Sequence, residues 1–299
     1  MNVKRILTVV LMTVAALAGQ AQQATTYTQY GVAPIPLNHA ASFLRMNGEI
    51  SVIGRQQWVG VEGAPQTYRV SGVLPVLKSG ISAGFNFKHE SIAVEHLTEA
   101  TAFVGKAVSI TEKGFLAMSL GLGASFYKGD FALDAEDPAF RDNITETDGL
   151  LSLNLLFYQP EKYYIGVSLP RLTFSKLGIT NFTNQSDRKM LYHFTAGAII
   201  PLGTDFDLKP AGLLTWAENL KPQADISAMV FLQRTAGLGI NVRTYGDLAG
   251  MAQFHIKKLS FGYSYQFSPG NQPLNRGIGN NTHEISMNYR FGKGVINLL

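Results

Sequence analysis

Residues 258–267 read KLSFGYSYQF, and the period of that stretch is repeated through most of the chain. Leu259, Phe261, Tyr263, Tyr265 and Phe267 fall on one side of an extended strand, and Ser260, Gly262, Ser264 and Gln266 on the other. Side chains alternate across a pleated strand, so a period of two makes one aromatic, uncharged wall and one small, polar wall. A soluble sandwich strand can look the same, because its inner face is also apolar. Recurrence of the pattern and the lengths of the connections have to decide.

The alternation recurs. Ile81, Ala83, Phe85 and Phe87 oppose Ser82, Gly84, Asn86 and Lys88, while Tyr163, Ile165, Val167 and Leu169 oppose Tyr164, Gly166 and Ser168. Ile285, Met287, Tyr289 and Phe291 oppose Glu284, Ser286, Asn288 and Arg290. From residue 48 onward the pattern predicts about 14 strands, near 48–58, 66–76, 80–89, 98–110, 114–127, 148–158, 162–169, 190–200, 207–216, 223–233, 236–244, 247–255, 258–267 and 282–291. It is poorest at 207–216, where Lys209 and Pro210 intrude.

Connections after even-numbered strands are short (77–79, 111–113, 159–161, 234–235, 256–257), whereas several after odd-numbered ones are long (129–147, 170–189, 268–281). An even strand count with short turns at one rim and long loops at the other is the arrangement of outer-membrane barrels. A sandwich has no reason to sort loop length by strand parity. The expectation is an all-β, transmembrane, antiparallel up-and-down β-barrel over 48–291, with short periplasmic turns and longer outer loops. A short C-terminal tail, 292–299, would follow.

The start of the chain agrees. Lys4 and Arg5 precede an apolar run over 6–18 and a Gly19-Gln20-Ala21 site, which together describe a secretory signal peptide, 1–21. No other stretch approaches the length of apolar residues that a membrane helix needs. Of 299 residues 15% are charged, while 12 Tyr and 18 Phe supply abundant aromatic surface, as a barrel exterior requires. The absence of cysteine excludes disulfides, thiolate metal sites, cysteine nucleophiles and a lipidated mature N-terminus. A formal charge of +4, part of it on Lys4 and Arg5, gives no reason to expect a nucleic-acid partner.

Residues 22–47 contain Pro34 and Pro36 and no sustained alternation, which reads as an extended segment ahead of the first strand. Two placements fit: a periplasmic tether or a luminal plug. On the polar walls, Arg55, Arg69, Lys88, Arg243, Glu284 and Arg290 are expected to face the lumen, with Glu49 and Asp225 among them. A slip of one residue would turn such charges to lipid, at about 2–4 kcal/mol each near the midplane, so register is well specified.

Chemical motifs are weak. Residues 80–84, GISAG, match the G-x-S-x-G of hydrolases, but that motif needs a strand-to-helix turn, and here Ser82 lies within an alternating strand. His89-Glu90 lacks the second histidine of a zinc protease. The acidic loop 130–148 has no EF-hand spacing and reads as a solvated outer loop. No catalytic residue, cofactor or metal is expected.

Several stretches together carry a resemblance: TQYGVAPIPLN (28–38), RQQWVGVEGAPQT (55–67), DPAF (137–140), YYIGVSLPRL (163–172), LSFGYSYQF (259–267) and THEISMNYRF (282–291). In these the chain resembles the PorP/SprF family of outer-membrane proteins of the Bacteroidetes type IX secretion system. QWVGVEGAP is the most distinctive of them. The sequence departs from the family pattern at 38–43, NHAASF, and in the GKGVINLL that follows Phe291.

The resemblance implies a non-enzymatic barrel that helps particular cargo cross or attach to the outer membrane. That cargo would carry a C-terminal sorting domain and include adhesins, some used in gliding motility. Outer-membrane lipid and other secretion components in the outer membrane and periplasm would be the further partners. Surfaces for cargo or partners would include Tyr27, Gln29, Tyr30 and Asn38 of the first segment. Gln57, Trp58, Gly60, Gly63 and Pro65 of the first outer turn, and Asp137, Pro138 and Phe140 of the acidic loop, complete the set. A passive porin or small-solute transporter is the competing class, since it would use the same wall.

Overall fold

The computed structural model describes residues 26–45, 47–76, 80–131, 143–178, 190–218, 220–244, 246–267 and 281–292. Residues 1–21, expected to be a signal peptide, the residues beyond 292, and Asp137, Pro138 and Phe140 therefore lie outside the described residues. The strands are β1 (Gly48–Gln56), β2 (Gln66–Val76), β3 (Ile81–Ile92), β4 (Glu95–Ser109), β5 (Phe115–Gly129), β6 (Ile144–Gln159), β7 (Tyr163–Thr173), β8 (Leu191–Ala198) and β9 (Ile200–Pro201). They continue as β10 (Phe206–Ala217), β11 (Gln223–Leu232), β12 (Ala236–Arg243), β13 (Leu248–Ile256), β14 (Leu259–Phe267) and β15 (Thr282–Phe291).

Segments β8 and β9 pair with β10 in one continuous register, so they form a single stave. The break at Ile199 lies opposite Lys209 and Pro210, where proline has no N–H to give the ladder. This accounts for the poor pattern there, and Lys209 itself points inward and is buried. The fifteen segments thus make fourteen staves.

Each stave pairs antiparallel with its neighbours in the chain, and β15 pairs with β1 to close the ring. The seam is in full register, Glu49 opposite Arg290 and Arg55 opposite Glu284. Closure leaves no sheet edge unpaired, which is what a strand structure needs in order to span a membrane.

Polarity is inverted relative to a water-soluble protein. Leu238 is 72% exposed, Ile226 68% and Ile285 63%, whereas Glu284 and Ser260 are 1% exposed and Asn288 is fully buried. The apolar wall faces outward and the polar wall inward. No helix among the described residues is long and apolar enough to cross a membrane.

The rims differ as the loop lengths predict. Turns such as 233–235 and 257–258 gather at one rim, and the strand ends that the longer connections join, Gly129 and Ile144, Thr173 and Leu191, and Phe267 and Thr282, at the other. One outer connection departs from expectation. β3 and β4 run on to Ile92 and back from Glu95, joined only by Ala93 and Val94, with Ala93 in the left-handed region at φ +51°. Likewise β5 and β6 extend to Gly129 and from Ile144. Charged and polar residues break the alternation there, yet their backbones still pair, as Lys128 does with Thr145. The wall therefore stands tallest over β3–β6.

Candidate functional site: the filled lumen

Residues 26–45 run inside the barrel. Their side chains are buried throughout, Phe43 only in part. Two short 3-10 turns, Thr28–Gly31 and His39–Phe43, are the only regular structure described in this stretch. Pro34 and Pro36 between them can join neither a helix interior nor a ladder. Asn38 caps the second turn, its Oδ1 accepting from the Ala40 N–H at 3.0 Å.

The segment crosses the lumen from mouth to mouth. At the outer mouth, Thr26 Oγ1 accepts from Gln223 Nε2 (2.9 Å) and from Arg243 Nη2 (3.1 Å), both on residues at the outer ends of their strands. Midway, Tyr30 Oη donates to the carbonyls of Ala211 and Asp225 at 3.2 and 3.0 Å. Asn38 Nδ2 donates to the Leu155 carbonyl (3.1 Å), and Ser168 Oγ donates to the Leu37 carbonyl (2.6 Å). Lower down, Ser82 Oγ donates to Ser42 Oγ at 2.7 Å. At the periplasmic end Arg45 pairs with Glu49 at 2.7 Å and donates to the Val32 carbonyl. β1 begins at Gly48.

Charge clusters hold the two ends. At the outer end Glu284 pairs with Arg55 at 3.2 Å while its two oxygens accept the Thr28 and Gln29 N–H groups at 2.9 Å each. Arg55 also donates to Gln266 Oε1 at 3.1 Å, and Arg243 pairs with Asp225. At the lower end Glu49 is shared by Arg45 and Arg290, the latter at 3.1 Å. Buried pairs of this kind offset their desolvation only when the remaining donors and acceptors are also matched, and the plug backbone supplies part of that match at Glu284. Arg69 stands 5.5 Å from the centre of the Tyr27 ring, a cation–π distance. A third cluster near the outer rim joins Lys88, Glu99 and Arg171, at 2.8 and 3.1 Å.

Close packing fixes the fit. A Cβ on Gly262 would lie 2.0 Å from Gln29 Oε1, so a larger residue there has to displace the Gln29 amide from its place against β14. His39 stacks on Phe103 with ring centres 4.3 Å apart, and its Nδ1 lies 3.1 Å from Ser152 Oγ. His39 belongs to the plug and not to the wall, and burial pushes its imidazole down to about 4. Burial likewise raises the phenols of Tyr27 and Tyr30.

The expected luminal charges Arg55, Arg69, Lys88, Arg243, Glu284 and Arg290 all face inward. Tyr27, Gln29, Tyr30 and Asn38 were expected to offer a surface for cargo; instead they are buried and bonded to the wall, because the segment fills the barrel. Gln57, Trp58, Gly60, Gly63 and Pro65 do sit at the outer rim. There Gln57 N–H donates to the Pro65 carbonyl at 2.9 Å, and Trp58, Gly60 and Gly63 have positive φ. Ser82 meets Ser42 rather than a histidine. Arg45, Gln223 and Glu99 belong to the site without any sequence motif to mark them, and Arg171 lies within the YYIGVSLPRL stretch, where nothing singled it out.

Among solved structures the chain is similar in fold to Omp33 of Acinetobacter baumannii, at 10% identity and TM-score 0.47, covering 82% of this chain and 99% of that one. It is also similar to BamA of Haemophilus ducreyi lacking POTRA domains 1–3 (9% identity, TM-score 0.43, 82% and 70% covered). A third likeness is to the KdgM porin (9% identity, TM-score 0.39, 82% and 99% covered). No curated protein matches the sequence. Residues 19–289 match the family described as type IX secretion system membrane protein PorP/SprF. With nearly all of the closed barrel and its luminal segment inside that match, the chain belongs to the PorP/SprF family of type IX secretion membrane proteins.

Proposed function

We propose that this barrel assists particular cargo proteins of the type IX secretion system in crossing or attaching to the outer membrane, and that it does so by binding rather than by conduction or catalysis. The observation that carries the reading is the plug: residues 26–45 fill the lumen and are tied to the wall at both mouths. A lumen closed by its own chain leaves the outer rim as the surface on which a partner docks. Trp58, Val59 and the exposed turn around them stand on that rim. Cargo with a C-terminal sorting domain, adhesins above all, would meet the rim, other secretion components would meet the periplasmic face, and lipid would cover the wall.

The absence of catalysis is part of the proposal. The Ser82 hydroxyl donates to Ser42 of the plug and not to a histidine. Any hydrolysis by the purified protein that disappears in Ser82→Ala would overturn that part. The main test is deletion of the gene in the native cell. The expected result is loss of adhesin export or surface display, and unchanged display would remove the proposal.

A further inference from the structure

Away from the strand ends, the outward wall among the described residues carries one charged side chain, Lys106 on β4. It lies three positions before Ser109, the periplasmic end of β4, so about 10 Å of strand separates it from that rim. Register places it between Ile81 of β3 and Met118 of β5. A groove of about 580 Å³ runs from Lys106 past Met118 and Leu120 to Leu155, Val167 and Leu169. Met118 and Leu120 are outward and exposed, so the groove opens to the surroundings of the barrel and not to the lumen.

The groove spans two cross-strand rows. Lys106 shares the row nearer the periplasmic rim with Met118, Leu155 and Val167, and Val104, Leu120, Leu153 and Leu169 form the row farther from it; every outward side chain of the two rows but Lys106 is apolar. An ammonium on the outward face is costly toward the bilayer centre unless it reaches the interface or meets an anion. A glycerophospholipid has the complementary order, an anionic headgroup at the interface and acyl chains below it. A protein segment crossing the same groove would have to satisfy its backbone groups, and the groove offers almost no polar partner for them.

We propose that this groove is a specific binding site for an anionic glycerophospholipid of the periplasmic leaflet. The Lys106 ammonium contacts the phosphate, and an acyl chain passes Met118 and Leu155 to lie along Leu120 and Leu153. The site is independent of the plug and of the outer rim.

Native mass spectrometry of the full-length protein in mild detergent, with added phosphatidylglycerol or phosphatidylcholine, tests it. The expected result is a one-to-one phosphatidylglycerol adduct that outlasts the phosphatidylcholine adduct. Lys106→Gln should weaken it by about fivefold, the effect of one interfacial lysine. Leu120→Trp, which fills the groove and keeps the lysine, should weaken it as well. Lys128→Gln, at the opposite rim, should leave it unchanged, and the heat-dependent shift in gel mobility of a closed barrel confirms that each variant is folded. Equal retention of both lipids, no change in Lys106→Gln, or equal loss in Lys128→Gln overturns the site. So does a protein occupant recovered with the wild type and lost in Leu120→Trp.

Discussion

Arg55 and Glu284 face each other across the seam that closes the barrel, 3.2 Å apart, with both side chains shut off from solvent. The same Glu284 carboxylate accepts the backbone N–H groups of Thr28 and Gln29. One side chain therefore joins the first strand to the last and the plug to both. This ties closure of the wall to occupation of the lumen.

Glu284→Gln keeps the shape of the side chain but leaves Arg55 buried without its counter-charge. Losing one partner of a buried pair destabilises by about 3–5 kcal/mol. The expected outcome is a lower unfolding temperature together with intermittent ion current as the outer end of the plug detaches. Ser286→Ala removes only the hydroxyl that donates to Gln29 Oε1 at 2.6 Å, and should lower stability by about 1 kcal/mol. Thermal unfolding in detergent compares the two variants.

Gly262→Val tests the plug without altering a charge. The new side chain would enter the space of Gln29 Oε1 and Ser286 Oγ, which an added Cβ alone would approach to 2.0 and 2.4 Å. Barrel assembly should persist, because valine suits a strand, while the segment loosens. Protease cleavage within residues 26–45 in the folded variant, absent in the wild type, is the expected readout.

The wall was legible in the sequence because its physics is local. An inward Ser260 and an outward Phe261 declare their faces by position alone, and the connections sort by parity. The plug was not legible, because its partners lie far away along the chain. Nothing near Gln29 indicates Glu284, and nothing near Leu37 indicates Ser168. With Pro34 and Pro36 and no alternation, the segment fitted a tether as well as a plug. The tall β3–β6 wall was missed for a related reason, since pairs such as Lys128 with Thr145 form through backbone bonds that apolar patterning does not report.

Acid should loosen the plug through His39. Its pKa is about 4 when docked, against an ordinary value near 6.5 in the undocked segment. Between those values the undocked segment binds a proton that the docked one does not, so docking is at full strength above about 6.5 and weakens as pH falls toward 4. His39→Phe, which keeps a ring against Phe103, should abolish that dependence. Protease access to residues 26–45, measured from pH 7 to pH 4 in both proteins, checks the sign.

The outward face predicts the opposite sensitivity from that of a soluble core. Ile285 is exposed and lies second in the outward row of β15, one position from its middle, so Ile285→Arg should reduce assembly into lipid vesicles by up to about 2–4 kcal/mol, the cost near the midplane. Ile285→Leu should be neutral. Folding yield into vesicles, read by gel mobility before and after heating, separates the two.

Single-channel recording of the purified full-length protein in planar bilayers bears most directly on the idea that this barrel works as a stoppered binding platform. A silent wild type, with current appearing only when Glu284 is neutralised, is the predicted result. Steady ohmic current through the unaltered protein would contradict it and give the chain to the porins.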